Sequence, residues 1–506
     1  MEKLHPMMGW STWNLFHQHI SESLVLEMAK AMKEKGLLSA GYRYVNLDDC
    51  WQASQRDESA RLCFDAGRFP SKEGIVQKLN SMGFRAGLYS SCGAYTCEDM
   101  PGSYGFEAID AATFAKWGVE FLKYDYCHVV DLPTSPHYGG KHFAYKTPPI
   151  LYLAVGESDM EESVYPAKKA KLSSPADLLE DAITGLDCPR ARAEFDIYVE
   201  NAGLCQVALG YVKEYNEHRK FLLLSVNGSP AAQVWFPPTS GWNSPGRATV
   251  NVELKKGSNA LHMSNPIRGQ RDDSILRYAK MAEALKKATG NTRPIYFSIC
   301  EHGRTEPWTW AADYAASWRV SHDISPSWQS VVKCYEVCAD LWPHQRPGAY
   351  NDPDMLEVGI GGLADEENKS HFALWCMMSA PLVLGFDVRL ASEEHIALVT
   401  NRDLITINQD SLMLQASRTK LQDGLDLLIK PLAHGHAAVC LFNKSDSEIT
   451  GTRIAAMDLG SFDSRVLFDK DVMIRKLVGE ENRQESGSHI VAPNLPAHGV
   501  EIFLLG

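Results

Sequence analysis

Short apolar runs that stop at polar residues alternate along this chain with stretches of helical periodicity. Tyr42-Arg43-Tyr44-Val45-Asn46-Leu47 runs into Asp48-Asp49-Cys50-Trp51, and Phe84-Arg85-Ala86-Gly87-Leu88-Tyr89 into Ser90-Ser91-Cys92. Leu122-Lys123-Tyr124-Asp125-Tyr126-Cys127, preceded by the β-rich Trp117 to Phe121, closes on a carboxylate flanked by a lysine and two aromatics. Pro294 to Ile299 reaches Cys300-Glu301-His302-Gly303, and Ser317-Trp318-Arg319-Val320-Ser321 reaches His322-Asp323. Between these runs, Leu24 to Met32 and Ala108 to Lys116 space their apolar residues as helices do. The alternation predicts an α/β chain built on a (β/α)8 TIM barrel, with its chemistry at the C-terminal ends of the strands.

The rhythm breaks twice. Beyond Cys127 come turn formers from Pro133 to Gly140, and from about Leu151 to Pro266 the chain reads as strands. Ala193 to Val199, Phe221 to Gly228 and Ala248 to Leu254, separated by Asn-Gly, Ser-Pro and Lys-Lys-Gly-Ser-Asn turns, predict a β-sandwich. Helical spacing resumes at Ser274 to Leu285, so the sandwich is an insertion after the fourth barrel strand. After Asp403 to Asp410, the runs Leu425 to Lys430, Ala437 to Phe442 and Val500 to Leu504 predict a C-terminal antiparallel β-sandwich. The expected division is 1–132 and 268–410 for the two parts of the barrel, 148–267 for the insertion and 411–506 for the C-terminal domain.

Composition narrows the function. At 506 residues the chain exceeds one ordinary core, and 45% hydrophobic with 22% charged residues describes a globular protein. A formal net charge of −13 argues against nucleic acid or an anionic membrane as partner, and leaves a homo-oligomer open. Met1 to Met8 lacks the apolar core of a signal peptide, and no run approaches the length of a membrane span. The twelve cysteines fall mostly in apolar segments such as Trp375-Cys376-Met377, as buried thiols of a cytoplasmic protein do. A mature exported chain would read the same way.

The strand ends gather Asp48, Asp49, Asp125, Glu301, Asp323, Asp352 and Asp354. Such a set suits either a divalent metal or the paired carboxylates of glycoside hydrolysis, and an Asp-Lys couple at a strand end can also be purely structural. Trp10, Trp13, Trp51 and Tyr89 fall at the same rim and favour a sugar, whose C–H faces stack on rings while its hydroxyls bond carboxylates.

Met8-Gly9-Trp10-Ser11-Thr12-Trp13-Asn14, Tyr44 to Trp51, Gly87-Leu88-Tyr89-Ser90, Leu122 to Cys127, Trp318-Arg319 with Asp323-Ile324, and Asn351-Asp352-Pro353-Asp354-Met355-Leu356 together resemble glycoside hydrolase family 27. That family contains α-galactosidases and α-N-acetylgalactosaminidases. The resemblance covers about residues 7–130 and 290–410 and implies a retaining double displacement on terminal α-galactosides, without a cofactor.

Residue by residue, it implies Asp125 as nucleophile and Asp323 as acid/base, the latter with a raised pKa. Asp48 and Asp49 match the pair that accepts from the 4- and 6-hydroxyls, and Lys123 would reach the 3- and 4-hydroxyls. Trp13 and Trp51 would form an apolar wall, with Arg319 near the 2-position. Glu301 would bond the 2-hydroxyl and so favour galactose over its acetamido analogue; Tyr89 and Asp354 complete the implied sugar-binding set.

The chain also departs from the family. His17-Gln18 and Tyr314 to Ser317 stand where relatives carry half-cystines, so of the family's bridges only Cys97 with Cys127 is retained as a pair. His302 stands where relatives often have tryptophan. The insertion, with Leu222 to Gly228, Trp242 and Val250 to Leu261, resembles a jelly-roll carbohydrate-binding module, a class that often holds structural calcium; a spacer role fits it equally. Alternative activities on the same scaffold are α-N-acetylgalactosaminidase and β-L-arabinopyranosidase. A galactoside-binding protein on an inactive barrel is disfavoured by the intact Asp125 and Asp323.

Overall fold

The computed structural model describes residues 4–127, 129, 147–157, 161–187, 190–212, 220–237, 239, 244–265, 270–290, 294–468, 472–477 and 484–506. The Pro133 to Gly140 stretch and Trp242 lie outside them.

Eight short strands build the barrel: β1 (Met8–Ser11), β2 (Tyr44–Leu47), β3 (Arg85–Ser91), β4 (Phe121–Asp125), β5 (Tyr296–Cys300), β6 (Ser317–Arg319), β7 (Tyr350–Asp352) and β8 (Leu382–Leu384). They pair in parallel in chain order from β1 to β7, and β8 lies beside β1. The ring closes where Leu356, just past β7, bridges Leu384 and donates its N–H to Val383 at 2.8 Å.

The helices between the strands follow from local signals. Ser21 caps α1 (Glu22–Glu34) by accepting from the Leu24 N–H at 3.3 Å, and Val25, Met28, Ala29 and Met32 bury one face against the barrel. α2 is Gly74–Ser81 and α3 is Glu107–Trp117. Trp117 thus ends a helix and does not open β4: Gly118 takes the left-handed conformation, φ +84°, that stops α3 and turns the chain. Downstream lie α4 (Gln270–Thr289), α5 (Trp328–Ala339, capped by Ser327) and α6 (Asp365–Met377).

Between β4 and α4 stand two antiparallel sheets. One orders Ser229–Phe236, Lys220–Val226, Gly257–Ser264, Arg192–Val199 and Lys171–Ser173; the other orders Gly246–Leu254, Gly203–Tyr211, Ile150–Gly156, Ala182–Thr184 and Asp177–Leu179, with Ser163–Pro166 also paired to Ile150–Gly156. Along Arg192–Val199 buried residues alternate with outward ones, the period-two pattern of a sheet with one face in the core. The two ends of the insertion meet where Asn265 donates to the Thr147 hydroxyl at 3.3 Å. It touches the barrel through Trp235, whose ring lies 5.7 Å from that of Tyr104 and under the Lys280 ammonium at 3.8 Å.

The C-terminal domain pairs a six-stranded sheet with a two-stranded one. Alternation in Leu425–Pro431 and Ala437–Asn443 serves two cores at once: Leu427, Ile429, Val439 and Leu441 face the sandwich interior, while Leu428, Cys440 and Phe442 join the barrel core. Lys430 is fully buried on the barrel side, donating to the Ser379 hydroxyl at 2.6 Å and the Cys376 carbonyl at 3.2 Å. Among the described residues no helix is long and apolar enough to cross a membrane.

Candidate active site

The C-terminal ends of the strands converge as the pattern predicts. Asp48, Tyr89, Lys123, Arg319, Asp352 and Asp354 line one cavity with Ser11, Asn46 and Cys300. β2 delivers Asp48, whose Oδ2 lies 3.0 Å from Lys123 Nζ of β4 and whose N–H donates to Thr12 at 3.0 Å. Burial acts against the Lys123 charge, but the surrounding carboxylates, Asp48 foremost, raise its pKa and keep it protonated. Trp13, half-buried at the end of β1, follows Thr12 directly. Asp49 is buried, accepting from the N–H groups of Cys50 at 2.8 Å and Glu98 at 3.0 Å; burial nonetheless pushes its carboxyl up to about 6.

Asp125 ends β4 with both oxygens engaged. Tyr89 donates its hydroxyl to Oδ2 at 3.0 Å, and the Tyr126 N–H donates to Oδ1 at 2.7 Å. Asp323 follows β6 with its side chain largely exposed. Arg319 Nη2 donates to it at 3.0 Å and lies 2.8 Å from Asp354. Cys50, His302 and Asp354, at the ends of β2, β5 and β7, all have positive φ (+71°, +59° and +90°), so backbone strain collects at the barrel mouth.

Three expectations need correction. The Asp323 pKa is lowered: the protein mass around the barrel mouth desolvates the carboxyl and acts to raise it, even though its own surface is largely exposed, but the Arg319 guanidinium, His302 and Lys123 outweigh this and hold it at about 2. Trp51 forms no wall of the cavity. Its ring is fully buried against Phe64, Phe114 and Trp117, and its indole N–H donates to the Tyr89 carbonyl at 2.8 Å. Glu301 turns away from the cavity and from Arg319; its fully buried carboxylate accepts from the Thr305 N–H at 2.9 Å and hydroxyl at 2.5 Å. Burial pushes it up to about 7.

The reason for the Glu301 placement is strand alternation. Ser298 and Cys300 of β5 line the cavity, so the residue between Cys300 and His302 faces the other way. His302 instead takes the central position, its Nε2 3.4 Å from Asp323 Oδ1 and 4.0 Å from Asp125 Oδ1. Asp352, named among the strand-end acids, also lines the cavity; Cys300 does too, a site residue that motif matching passes over and that the period of two along β5 would have found.

Cysteine, histidine and carboxylate side chains converge in two places among the described residues, Cys97-Asp125-Cys127 and Asp125-Cys300-His302. Neither lies in the insertion, and neither fits calcium, which takes hard oxygen ligands. Cys97 and Cys127 are joined in a disulfide, and the Cys300 thiol faces the Arg319 guanidinium at 3.8 Å.

The family model described as alpha galactosidase A matches residues 5–146 and 256–410, and the alpha galactosidase C-terminal beta sandwich domain matches 422–505. The gap in the first match falls on the inserted sheets. Alpha-galactosidase 2 of Arabidopsis thaliana is 30% identical over 464 residues, covering 91% of this chain and 81% of that protein. The alpha-galactosidase of Cyamopsis tetragonoloba is 30% identical over 502 residues, 99% of this chain and 86% of that protein. Alpha-galactosidase I from Mortierella vinacea, at 24% identity, shares the fold with a TM-score of 0.66 over 99% of this chain and 96% of its own. Matched by the family model over more than half its length, the chain belongs to the alpha-galactosidase family, glycoside hydrolase family 27.

Proposed function

We propose that this protein is an exo-acting, retaining α-galactosidase that releases terminal α-linked galactose by double displacement. The observation that carries the reading is the shared position of Asp125 and Asp323 about His302 Nε2, within 4.0 and 3.4 Å, beside the Lys123-Asp48 pair. Those distances keep the two carboxylate oxygens within about 7.4 Å of each other, a bound that admits both the roughly 5–5.5 Å of retaining and the 6.5–9.5 Å of inverting glycosidases, so the retaining course rests on the family resemblance.

In this reading Asp125, oriented by Tyr89 and the Tyr126 N–H, attacks the anomeric carbon, and the glycosyl-enzyme that forms is hydrolysed by water activated by Asp323. Asp48 and Lys123 take the 4-hydroxyl side of the sugar, Asp49 the 6-hydroxyl, and Trp13 offers an apolar face. Asp354 holds Arg319 for the 2-position. Glu301 no longer argues for galactose; the named activity of the relatives does, and Asp49 supports it over a pentose lacking the 6-carbon. A cytoplasmic location is proposed on the nine free cysteines among the described residues, with the Cys97–Cys127 disulfide as the contrary observation; cell fractionation tests it.

The activity is tested by assaying 4-nitrophenyl α-galactoside, α-N-acetylgalactosaminide and β-L-arabinopyranoside side by side. The α-galactoside should give the highest kcat/KM. Preference for either other sugar, or cleavage of none, would refute the reading.

A further inference from the structure

His302 has no task in the double displacement as set out above, yet the chain is shaped to hold it at the centre of the site. Its φ of +59° is left-handed, and Gly303 follows at +74°, where a Cβ would meet the Val320 carbonyl oxygen at 2.3 Å. This turn carries the imidazole to a point 3.4 Å from Asp323 Oδ1 and 4.0 Å from Asp125 Oδ1. The tryptophan common at this position in the family cannot accept a proton; an imidazole can.

The Cys300 thiol of β5 lies within 4.8 Å of the ring's nitrogen and of Asp125, and burial raises its pKa and keeps it protonated. Asp125 faces the ring from β4, with Lys123 on the same strand, and Arg319 and Asp323 face it from β6 and the loop beyond. Arg304 acts on it from its own loop, and the His322 ring stands edge-on at 6.4 Å. Burial, with Arg319 and Arg304, outweighs Asp125 and Asp323 and lowers the His302 pKa below that of a free imidazole, so the protonated ring gives up its proton more readily than a free imidazolium would. Asp323 is the group in need of a proton, because in the free protein it is ionised against Arg319.

On the reading that the protein is a retaining galactosidase, we propose that His302 is a positioning residue that stores the catalytic proton and delivers it to Asp323. When a sugar separates Asp323 from Arg319, the His302 Nε2–H bond breaks and an Asp323 Oδ1–H bond forms. Asp323 then gives that proton to the glycosidic oxygen as its bond to the anomeric carbon breaks and the bond from Asp125 forms. In the second half Asp323 takes a proton from the attacking water while the Asp125 ester is cleaved. The proton returns to His302 as the sugar leaves and Arg319 regains Asp323. The proton belongs to the His302-Asp323 pair, and the basic limb of kcat/KM reports the pair.

The test compares wild type with His302→Gly, since glycine suits the left-handed backbone, over pH 4–8 on two substrates. Methyl α-galactoside needs a protonated leaving group, whereas 2,4-dinitrophenyl α-galactoside does not. The variant should move the basic limb for the methyl glycoside to lower pH and lose roughly 10²-fold in kcat/KM at pH 6, with the dinitrophenyl profile keeping its shape. Added imidazole should restore the methyl glycoside activity. His302→Asn, which keeps a donor but cannot be protonated, should behave as the glycine variant does. An unmoved basic limb, equal losses on both substrates, or full activity in His302→Asn would overturn the proposal. Failure of wild type to cleave either substrate would instead overturn the galactosidase reading beneath it.

Discussion

Arg319 presents one guanidinium nitrogen to Asp323 at 3.0 Å and to Asp354 at 2.8 Å, and this pairing helps to hold the proposed acid of the reaction ionised. Asp354 is buried and fixed by the N–H groups of Ile324 and Met355, whereas Asp323 is largely exposed. Arg319 is therefore anchored on one side and can release its other partner to a substrate.

If Asp323 acts as acid and then as base, Asp323→Gly should lose about 10²–10⁴-fold on alkyl α-galactosides and much less in glycosylation by a dinitrophenyl glycoside. Azide should rescue turnover and give α-galactosyl azide, read by NMR. A β-azide would mean that Asp125 and Asp323 have exchanged roles.

The two tryptophans should separate stability from binding. Trp51 is enclosed by Phe64, Phe114 and Trp117, so Trp51→Ala should cost about 3–5 kcal/mol in denaturant unfolding. Trp13 is half-buried at the barrel mouth, and Trp13→Ala should raise KM for galactosides with a small effect on unfolding.

Periodicity made the barrel, the insertion after its fourth strand and the C-terminal sheets legible in the sequence, because each pattern records which side of an element is buried. Asp48, Lys123, Asp125 and Arg319 were legible for the same reason, since they end apolar runs. The errors lay where a motif match stood in for the direction of a side chain. Trp51 and Glu301 occupy matched positions, but each faces the core behind the barrel wall. The Asp323 protonation state depends on Arg319, a spatial neighbour whose approach no spacing rule encodes.

Glu301→Gln should leave galactoside kcat/KM within a few-fold of wild type, because the carboxylate is bonded to Thr305 and away from the cavity. Its pKa is raised from 4.5 to about 7, so its contribution to stability is full below about 4.5 and is lost as pH rises through about 7. Asp49 and Asp352, both raised to about 6, act in the same direction. Burial lowers the His371 pKa from 6.5 to about 3 and gives the opposite slope, so the readout is the difference: between pH 4.5 and 7 the Tm of Glu301→Gln should rise relative to that of wild type.

Lys430 gives the opposite slope on the basic side. Burial lowers its pKa from 10.5 to about 7, so between those values the unfolded chain binds a proton that the folded chain does not. Stability from this group rises with pH across that window. Lys430→Met should raise Tm at pH 7 and remove its share of the rise between pH 7 and 9, measured as the difference from wild type.

Double displacement requires a covalent bond between Asp125 and the sugar. Incubation with 5-fluoro-α-galactosyl fluoride, followed by peptide mapping by mass spectrometry, tests it most directly. A fluorogalactosyl adduct on Asp125, absent in Asp125→Asn, is the predicted result. Turnover with no adduct, or an adduct on Asp323, would mean that Asp125 is not the nucleophile.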